Sequence, residues 1–320
     1  MTPSLQDLTT GAVDLDTRSI GRLITLFEDP RPEAAGKRAL ALSLLEKEGR
    51  SETGILLGIT GTPGAGKSTL IGELAPRLIA KQIRARVAVL ATDPASEISG
   101  GALLGDRTRV RFPPEEKRLF FRSQSSNREL GGLSPSAFQV CRLLARLFDY
   151  VLLETVGIGQ SELEISRLAD RIYLVLQPLG GDQVQFMKAG IMEIPDVFIL
   201  NKCDQEDLAL QSKLALQSSL SFSRPGRPEA VKLIAASALR GDGLDEIVLD
   251  MLGFAPTRGE GVAREREARF FFKWARDEYG RRGARRLLEL CDETDGTRAA
   301  LSFLENESFE SAQIRFAELF

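Results

Sequence analysis

The chain has 320 residues, 43% hydrophobic and 27% charged, with a net charge of −3; that suits a globular protein with one substantial core and offers no basic field for nucleic acid. It contains no histidine, which removes the commonest general base and metal ligand near neutral pH, and with them serine-histidine hydrolase and histidine-ligated zinc chemistry. Its three cysteines, Cys141, Cys203 and Cys291, form no CxxC pair, so neither a disulfide framework nor a cysteine metal site is expected, and a reducing cytoplasm fits.

The opening segment "MTPSLQDLTTGAVDLDT" has no basic stretch followed by an apolar one, and no arginine precedes Arg18. It therefore does not read as a secretory or transit leader. No apolar run approaches the roughly 18 residues needed to span a bilayer, so no membrane partner is expected. Residues 18–28 set Ile20, Leu23, Ile24 and Phe27 on one helical stripe. After the break "DPRPEA", "AAGKRALALSLLEKEG" reads as a second helix closed by Gly49.

From residue 54 the texture changes. "GILLGIT" (54–60), "RVAVLAT" (86–92), "YVLLE" (150–154), "RIYLVLQ" (171–177), "DVFILN" (196–201) and "VKLIAAS" (231–237) are short apolar runs separated by helix-compatible segments. Continuous apolar runs suit strands buried on both faces, which predicts an α/β fold with a mostly parallel, doubly wound sheet. After about residue 255 the strand signals stop, and "AREREARFFFKWARDEYGRRGARRLLELC" carries Phe271, Trp274 and Ala275 at helical spacing. The expected organisation is a helical extension over 1–50, an α/β domain over 51–255 and a helical arm over 256–320.

The segment "GITGTPGAGKSTL" holds Gly61-x-x-x-x-Gly66-Lys67-Ser68 between a strand and a helix, the pattern of a phosphate-binding loop. Glycines let successive backbone amides converge on phosphate oxygens, and the helix N-terminus adds its positive end. The candidate nucleotide contacts here are Gly61, Thr62, Pro63, Gly64, Ala65, Gly66, Lys67, Ser68 and Thr69. Lys67 offers a charge to the β- and γ-phosphates and Ser68 a hydroxyl to Mg²⁺.

Further along, Asn201-Lys202-Cys203-Asp204 closes a strand, and Ser237-Ala238-Leu239 follows the next one. A carboxylate at Asp204 accepts from guanine N1–H and the exocyclic amine, and the Lys202 stem can lie along the base. Adenine offers no matching donors, so GTP is expected over ATP. The 237–239 turn is placed to set a backbone amide against guanine O6.

Two acids, Asp93 and Asp106, lie in "TDPASEISGGALLGDRTR", and Glu154 ends the strand that precedes Gly157 and Gln160. A Mg²⁺-nucleotide site wants carboxylates around the cation, and a glycine at 157 lets an amide approach the γ-phosphate. Asp93, Asp106 and Glu154 are candidates for the cation beside Ser68, and the catalytic candidates are Lys67, Asp106 or Asp93 to orient the attacking water, and Gln160, which either positions that water or faces a partner.

The ordered set "GITGTPGAGKSTL", "TDPAS", "GGALLGDRTR", "LETVGIGQSE", "GGDQVQFMKAGIMEI" and "LNKCD" resembles the methylmalonyl-CoA-mutase-associated GTPases (the MeaB/ArgK family), G-protein chaperones of cobalamin-dependent mutases. The resemblance implies a Mg²⁺-dependent GTPase with GTP or GDP bound, slow alone and stimulated by a cobalamin-dependent acyl-CoA mutase. It implies a second switch at "GIGQSE", a third over 179–190 with Asp182 and Lys188, and a homodimer formed through the C-terminal helices. The chain departs from the family with Pro178-Leu179-Gly180-Gly181-Asp182 where proline-glycine-alanine-glycine-aspartate is usual. Two rivals share the phosphate loop. A kinase would lack the 201–204 and 237–239 pair, and a nickel-insertion maturation GTPase would carry the Cys/His metal site this chain lacks.

Overall fold

The computed structural model describes residues 3–93, 110, 112–113, 115–125, 135–155, 161–178, 191–223, 231–256, 259–305 and 307–320. The chain divides into two compact units, one of residues 54–133 and 148–256, the other of residues 1–53, 134–147 and 257–320.

The first unit is built on seven parallel strands. They are β1 (Ile55–Gly61), β2 (Val87–Asp93), β3 (Leu119–Ser125), β4 (Tyr150–Glu154), β5 (Arg171–Leu176), β6 (Val197–Leu200) and β7 (Lys232–Ala235), in the spatial order β3-β2-β4-β1-β5-β6-β7. The α/β fold class expected from the sequence is thus the observed one. Six strands follow the six apolar runs. The seventh, β3, falls in "LFFRSQS", where polar Arg122 and Gln124 interrupt the apolar pattern. It is one of the two edge strands and pairs with β2 alone, and its polar residues hide it from a search for the continuous apolar runs of buried parallel strands.

β1 sits at the centre, and the chain leaves it for β4 and β2 on one side and for β5, β6 and β7 on the other. The carboxyl end of β1 is therefore a topological switch point, the place where open α/β sheets hold their ligands. Behind β1 runs the helix Lys67–Lys81, which buries Leu70, Ile71, Leu74, Ala75 and Leu78 at spacings of three and four residues. Each fully buried leucine there is worth about 2 kcal/mol of apolar transfer. Gly58 of β1 is held small by the helix Ser161–Leu168, since a Cβ there would lie 2.9 Å from Ile165.

At the opposite, amino-terminal side of the sheet Asp250 gathers three partners. Arg171 Nε donates at 2.9 Å, Tyr173 OH at 2.8 Å and Lys232 Nζ at 3.0 Å. This ties the starts of β5 and β7 to the helix Leu244–Gly253.

The second unit is helical: Leu5–Val13, Thr17–Glu28, Pro32–Lys47, Pro135–Leu147, Glu260–Cys291, Gly296–Phe303 and Phe309–Ala317. Ile20, Leu23, Ile24 and Phe27 all face inward, as their spacing predicts. Phe271 packs on Trp274, Phe303, Phe309 and Phe316 with ring centroids 5.3–6.0 Å apart. The helical run Glu260–Cys291 breaks at Gly280, whose φ of 64° with ψ of −156° is a combination taken essentially by glycine alone. Buried Arg142 lies between Glu310, at 2.5 Å, and Glu267, at 3.4 Å. Among the described residues no helix is long and apolar enough to cross a membrane.

Candidate functional site

The site is assembled from loops at the carboxyl ends of β1, β4, β6 and β7. The first of them, 61–66, turns tightly because its glycines take conformations closed to other residues. At Gly61, with φ 142°, a Cβ would fall 2.0 Å from the carbonyl oxygen of Val175 in β5. At Gly66, with φ 86°, it would fall 2.7 Å from Asn201 Nδ2. Pro63, Gly64 and Thr69 are exposed, whereas Thr62, Ala65, Lys67 and Ser68 are buried. The turn hands directly into the helix that starts at Lys67, so the free amides of a helix N-terminus face the loop.

Lys67 Nζ donates to the carbonyls of Gly61, at 2.9 Å, and Thr62, at 3.1 Å. The loop therefore supplies acceptors for its own lysine and fixes the ammonium at the switch point. The Ser68 hydroxyl donates to Glu154 Oε1 at 2.7 Å. Glu154 is brought there by register, because the β4 ladder sets it opposite Ile59, two residues before Gly61. One residue later Thr155 Oγ1 meets Thr60 Oγ1 at 2.9 Å and locks the two strand ends together. A buried serine hydroxyl and a buried carboxylate in contact make a pair of hard oxygen donors, the kind Mg²⁺ prefers.

The second loop is anchored by Asn201, which is 1% exposed. Its Nδ2 donates to the carbonyl of Ala65 at 2.8 Å, and its Oδ1 accepts from the amide of Ala238 at 3.1 Å. One side chain thus joins the phosphate loop, the 201–204 turn and the 237–239 turn. Lys202 adopts a φ of 63°, rare for a non-glycine residue, and its Nζ donates to Gln177 at 3.0 Å. Asp204 accepts a short hydrogen bond from the Ser237 hydroxyl, which orients one carboxylate oxygen. The hydroxyl in turn accepts from the amide of Arg240 at 3.0 Å. Burial pushes the Cys203 thiol above its usual range, only partly offset by a hydrogen bond with Ala236, so it stays a protonated spacer. Leu239 is fully on the surface, 86% exposed.

Of the residues singled out in the sequence, the structure brings together Gly61–Thr69, Glu154, Asn201, Lys202, Asp204 and Ser237–Leu239. Asp93 closes β2, and its side chain lies outside the described residues, as do Asp106, Gly157, Gln160, Asp182 and Lys188. The bracing functions of Asn201 and Ser237 are not evident from spacing. Asn201 reaches a residue 136 positions away and Ser237 one 33 positions away, and only folding shows those contacts.

Comparison with known proteins agrees with this geometry. Residues 20–281 match the family described as methylmalonyl Co-A mutase-associated GTPase MeaB. A Caulobacter vibrioides protein, whose name gives GTPase as its inferred activity, is 34% identical over 82% of each chain. The methylmalonic aciduria type A homolog, mitochondrial, of Caenorhabditis elegans is 32% identical over 82% of this chain and 69% of its own. Among solved structures, one titled LAO/AO transport system kinase aligns over 98% of this chain and 97% of its own with a TM-score of 0.61. At 24% identity that likeness speaks to the fold alone.

Proposed function

The chain belongs to the methylmalonyl Co-A mutase-associated GTPase MeaB family and is a GTP-hydrolysing enzyme; from that premise we propose how its loops share the work and what the work serves. The observation that carries the reading is the burial of Lys67, Ser68 and Glu154 at the adjoining carboxyl ends of β1 and β4.

In this reading the amides of Gly61–Thr69 hold the phosphates and Lys67 adds its charge to the β- and γ-phosphates. Asp204, held by Ser237, accepts from guanine N1–H and the exocyclic amine. The Lys202 stem lies along the base, and the 237–239 turn presents backbone to guanine O6. Asn201 stands behind the base and braces both loops. Ser68 and Glu154, with Asp93 and Asp106, are the residues that would hold Mg²⁺, and their oxygen donors fit that ion. Held by these residues, Mg²⁺ would supply positive charge against the phosphates and the leaving diphosphate. Asp106, Asp93 and Gln160 are the side chains left to orient the attacking water, and Gly157 admits an amide to the γ-phosphate.

Turnover is slow in the isolated protein and rises when a partner orders the switches at 157–162 and 179–190, where Asp182 and Lys188 report the nucleotide state. The partner is a cobalamin-dependent acyl-CoA mutase whose cofactor loading is gated by the GTPase. The family description and the name of the nematode relative support this. The C-terminal helical arm over 256–320 forms the homodimer contact, and the protein works in the cytoplasm. GTP turnover measured alone and with a purified methylmalonyl-CoA mutase is the test, and a rise of about tenfold or more is expected from ordering of the switches. An unchanged rate, with no co-elution in the GTP state, overturns the mutase as partner. A preference for ATP overturns the base assignment.

A further inference from the structure

Lys202 is exposed, and a lysine on a protein surface ordinarily samples many rotamers. Here it is fixed at three places. Its backbone takes a left-handed φ of 63°, uncommon for a side chain of this size. Its stem passes Gly66 of the phosphate loop, where a Cβ would lie 3.9 Å from Lys202 Cε. Its ammonium donates to Gln177 Oε1 at 3.0 Å.

Gln177 is delivered there by the sheet. It follows β5, whose last residue, Leu176, lies opposite Leu200 of β6. The Leu176 carbonyl accepts from the amide of Asn201 at 2.8 Å. On its other side β5 is in register with β1, and Val175 lies opposite Gly61. Gln177 therefore stands, half-buried, at the carboxyl edge between the phosphate loop and the 201–204 turn.

The lysine passes over a stronger partner. Asp204 is two residues away and carries the charge an ammonium prefers. Among the described residues, however, no ion pair joins the two. Asp204 accepts from the Ser237 hydroxyl, and Arg240 Nε stands 3.9 Å from the same Oδ1. A neutral amide thus holds the lysine where a neighbouring carboxylate does not.

We propose that Gln177 is a positioning residue for guanine nucleotides. It fixes Lys202 before the ligand arrives and keeps its ammonium off Asp204, so that stem and carboxylate are both presented to the base. This rests on the base assignment given above for Lys202 and Asp204. Two physical effects carry it. The rotamer freedom of a long side chain is lost on folding rather than on binding. Asp204 keeps its acceptors for guanine N1–H and the exocyclic amine instead of closing on a neighbouring cation. A neutral acceptor also suits the position, since a carboxylate two residues past Val175 would set negative charge near the phosphate loop.

GDP affinity is measured by titration calorimetry on the full-length protein and on Gln177→Met, Lys202→Met and the double variant. Gln177→Met keeps the length of the side chain and removes the acceptor. Its affinity is expected to fall about threefold to tenfold, the range of one hydrogen bond. Lys202→Met is expected to lose at least as much, and the double variant no more than Lys202→Met alone, because the two side chains act as a unit. Losses that add in the double variant, or wild-type affinity in Gln177→Met, would overturn the role of Gln177 and leave the base assignment standing. Wild-type affinity in Lys202→Met would overturn both. Should Gln177→Met fail to fold, Gln177→Ala removes the same acceptor and completes the same cycle.

Discussion

Ser68 Oγ and Glu154 Oε1 lie 2.7 Å apart although 86 residues separate them in the chain. One begins the helix after the phosphate loop and the other ends the neighbouring strand, so the β1–β4 ladder sets their distance. Glu154→Gln keeps the shape and an acceptor for the serine but removes the negative charge. GTP turnover is expected to fall about 10²-fold or more, within the range seen when one transition-state-stabilising group is lost. The Mg²⁺ concentration for half-maximal rate rises with it. Steady-state turnover over a Mg²⁺ series checks this, and an unchanged half-maximal concentration removes Glu154 from the cation site.

Lys67→Ala removes the ammonium held by Gly61 and Thr62. Hydrolysis of GTP is expected to drop about 10²–10³-fold while the circular dichroism spectrum is unchanged, because the loop glycines set the turn without it. A variant that hydrolyses GTP at the wild-type rate would sink the assignment of this loop.

Asp204→Asn replaces two acceptors by one acceptor and one donor. Affinity for GDP is expected to fall about tenfold to a hundredfold, equivalent to 1–3 kcal/mol for an unmet guanine donor, with affinity for xanthosine diphosphate rising. Competition binding with both nucleotides reads the exchange, and an unchanged preference for guanine would remove Asp204 from base recognition.

Asp250 governs acid stability. Its burial alone would raise its pKa, but hydrogen bonds from Lys232, Tyr173 and Arg171 and the charge of Arg171 together hold it below the ordinary carboxylate range. A carboxyl depressed in the folded state adds stability that is complete above its unfolded pKa of about 3.9. That stability is lost as pH falls through the lower folded value. Asp250→Asn should therefore be less stable than the wild type at pH 7, with the gap closing below about pH 4. Urea unfolding at both pH values checks the sign, and an equal gap at both would show that the charge contributes nothing. Truncation to alanine, which leaves partly exposed Arg171 and Lys232 and buried Tyr173 without their acceptor, is expected to cost about 1–3 kcal/mol at neutral pH.

The parts legible in the sequence were those written in contiguous residues. The phosphate loop and the 201–204 turn are local: a few side chains and glycines at fixed spacing after an apolar run. Glu154 was legible as a strand end. β3 was not, because polar Arg122, Ser123 and Gln124 interrupt its apolar signature, Gln124 even though it is buried. Asn201 is visible as a motif residue, but its brace between Ala65 and Ala238 depends on two distant loops meeting. Asp250 carries no local signal at all, since Arg171 and Lys232 reach it only after β5 and β7 are set on either side of β6.

The double grip of Asn201 has a metrical consequence. Ala65 and Ala238 are both held by one rigid amide, so the span between the 61–66 loop and the 237–239 turn is set by covalent geometry. A ligand is then gauged for length as well as for its parts. Under the proposed base and phosphate assignments, guanosine without its phosphates, or pyrophosphate without its nucleoside, would touch only one jaw of a calliper whose opening the protein has already fixed.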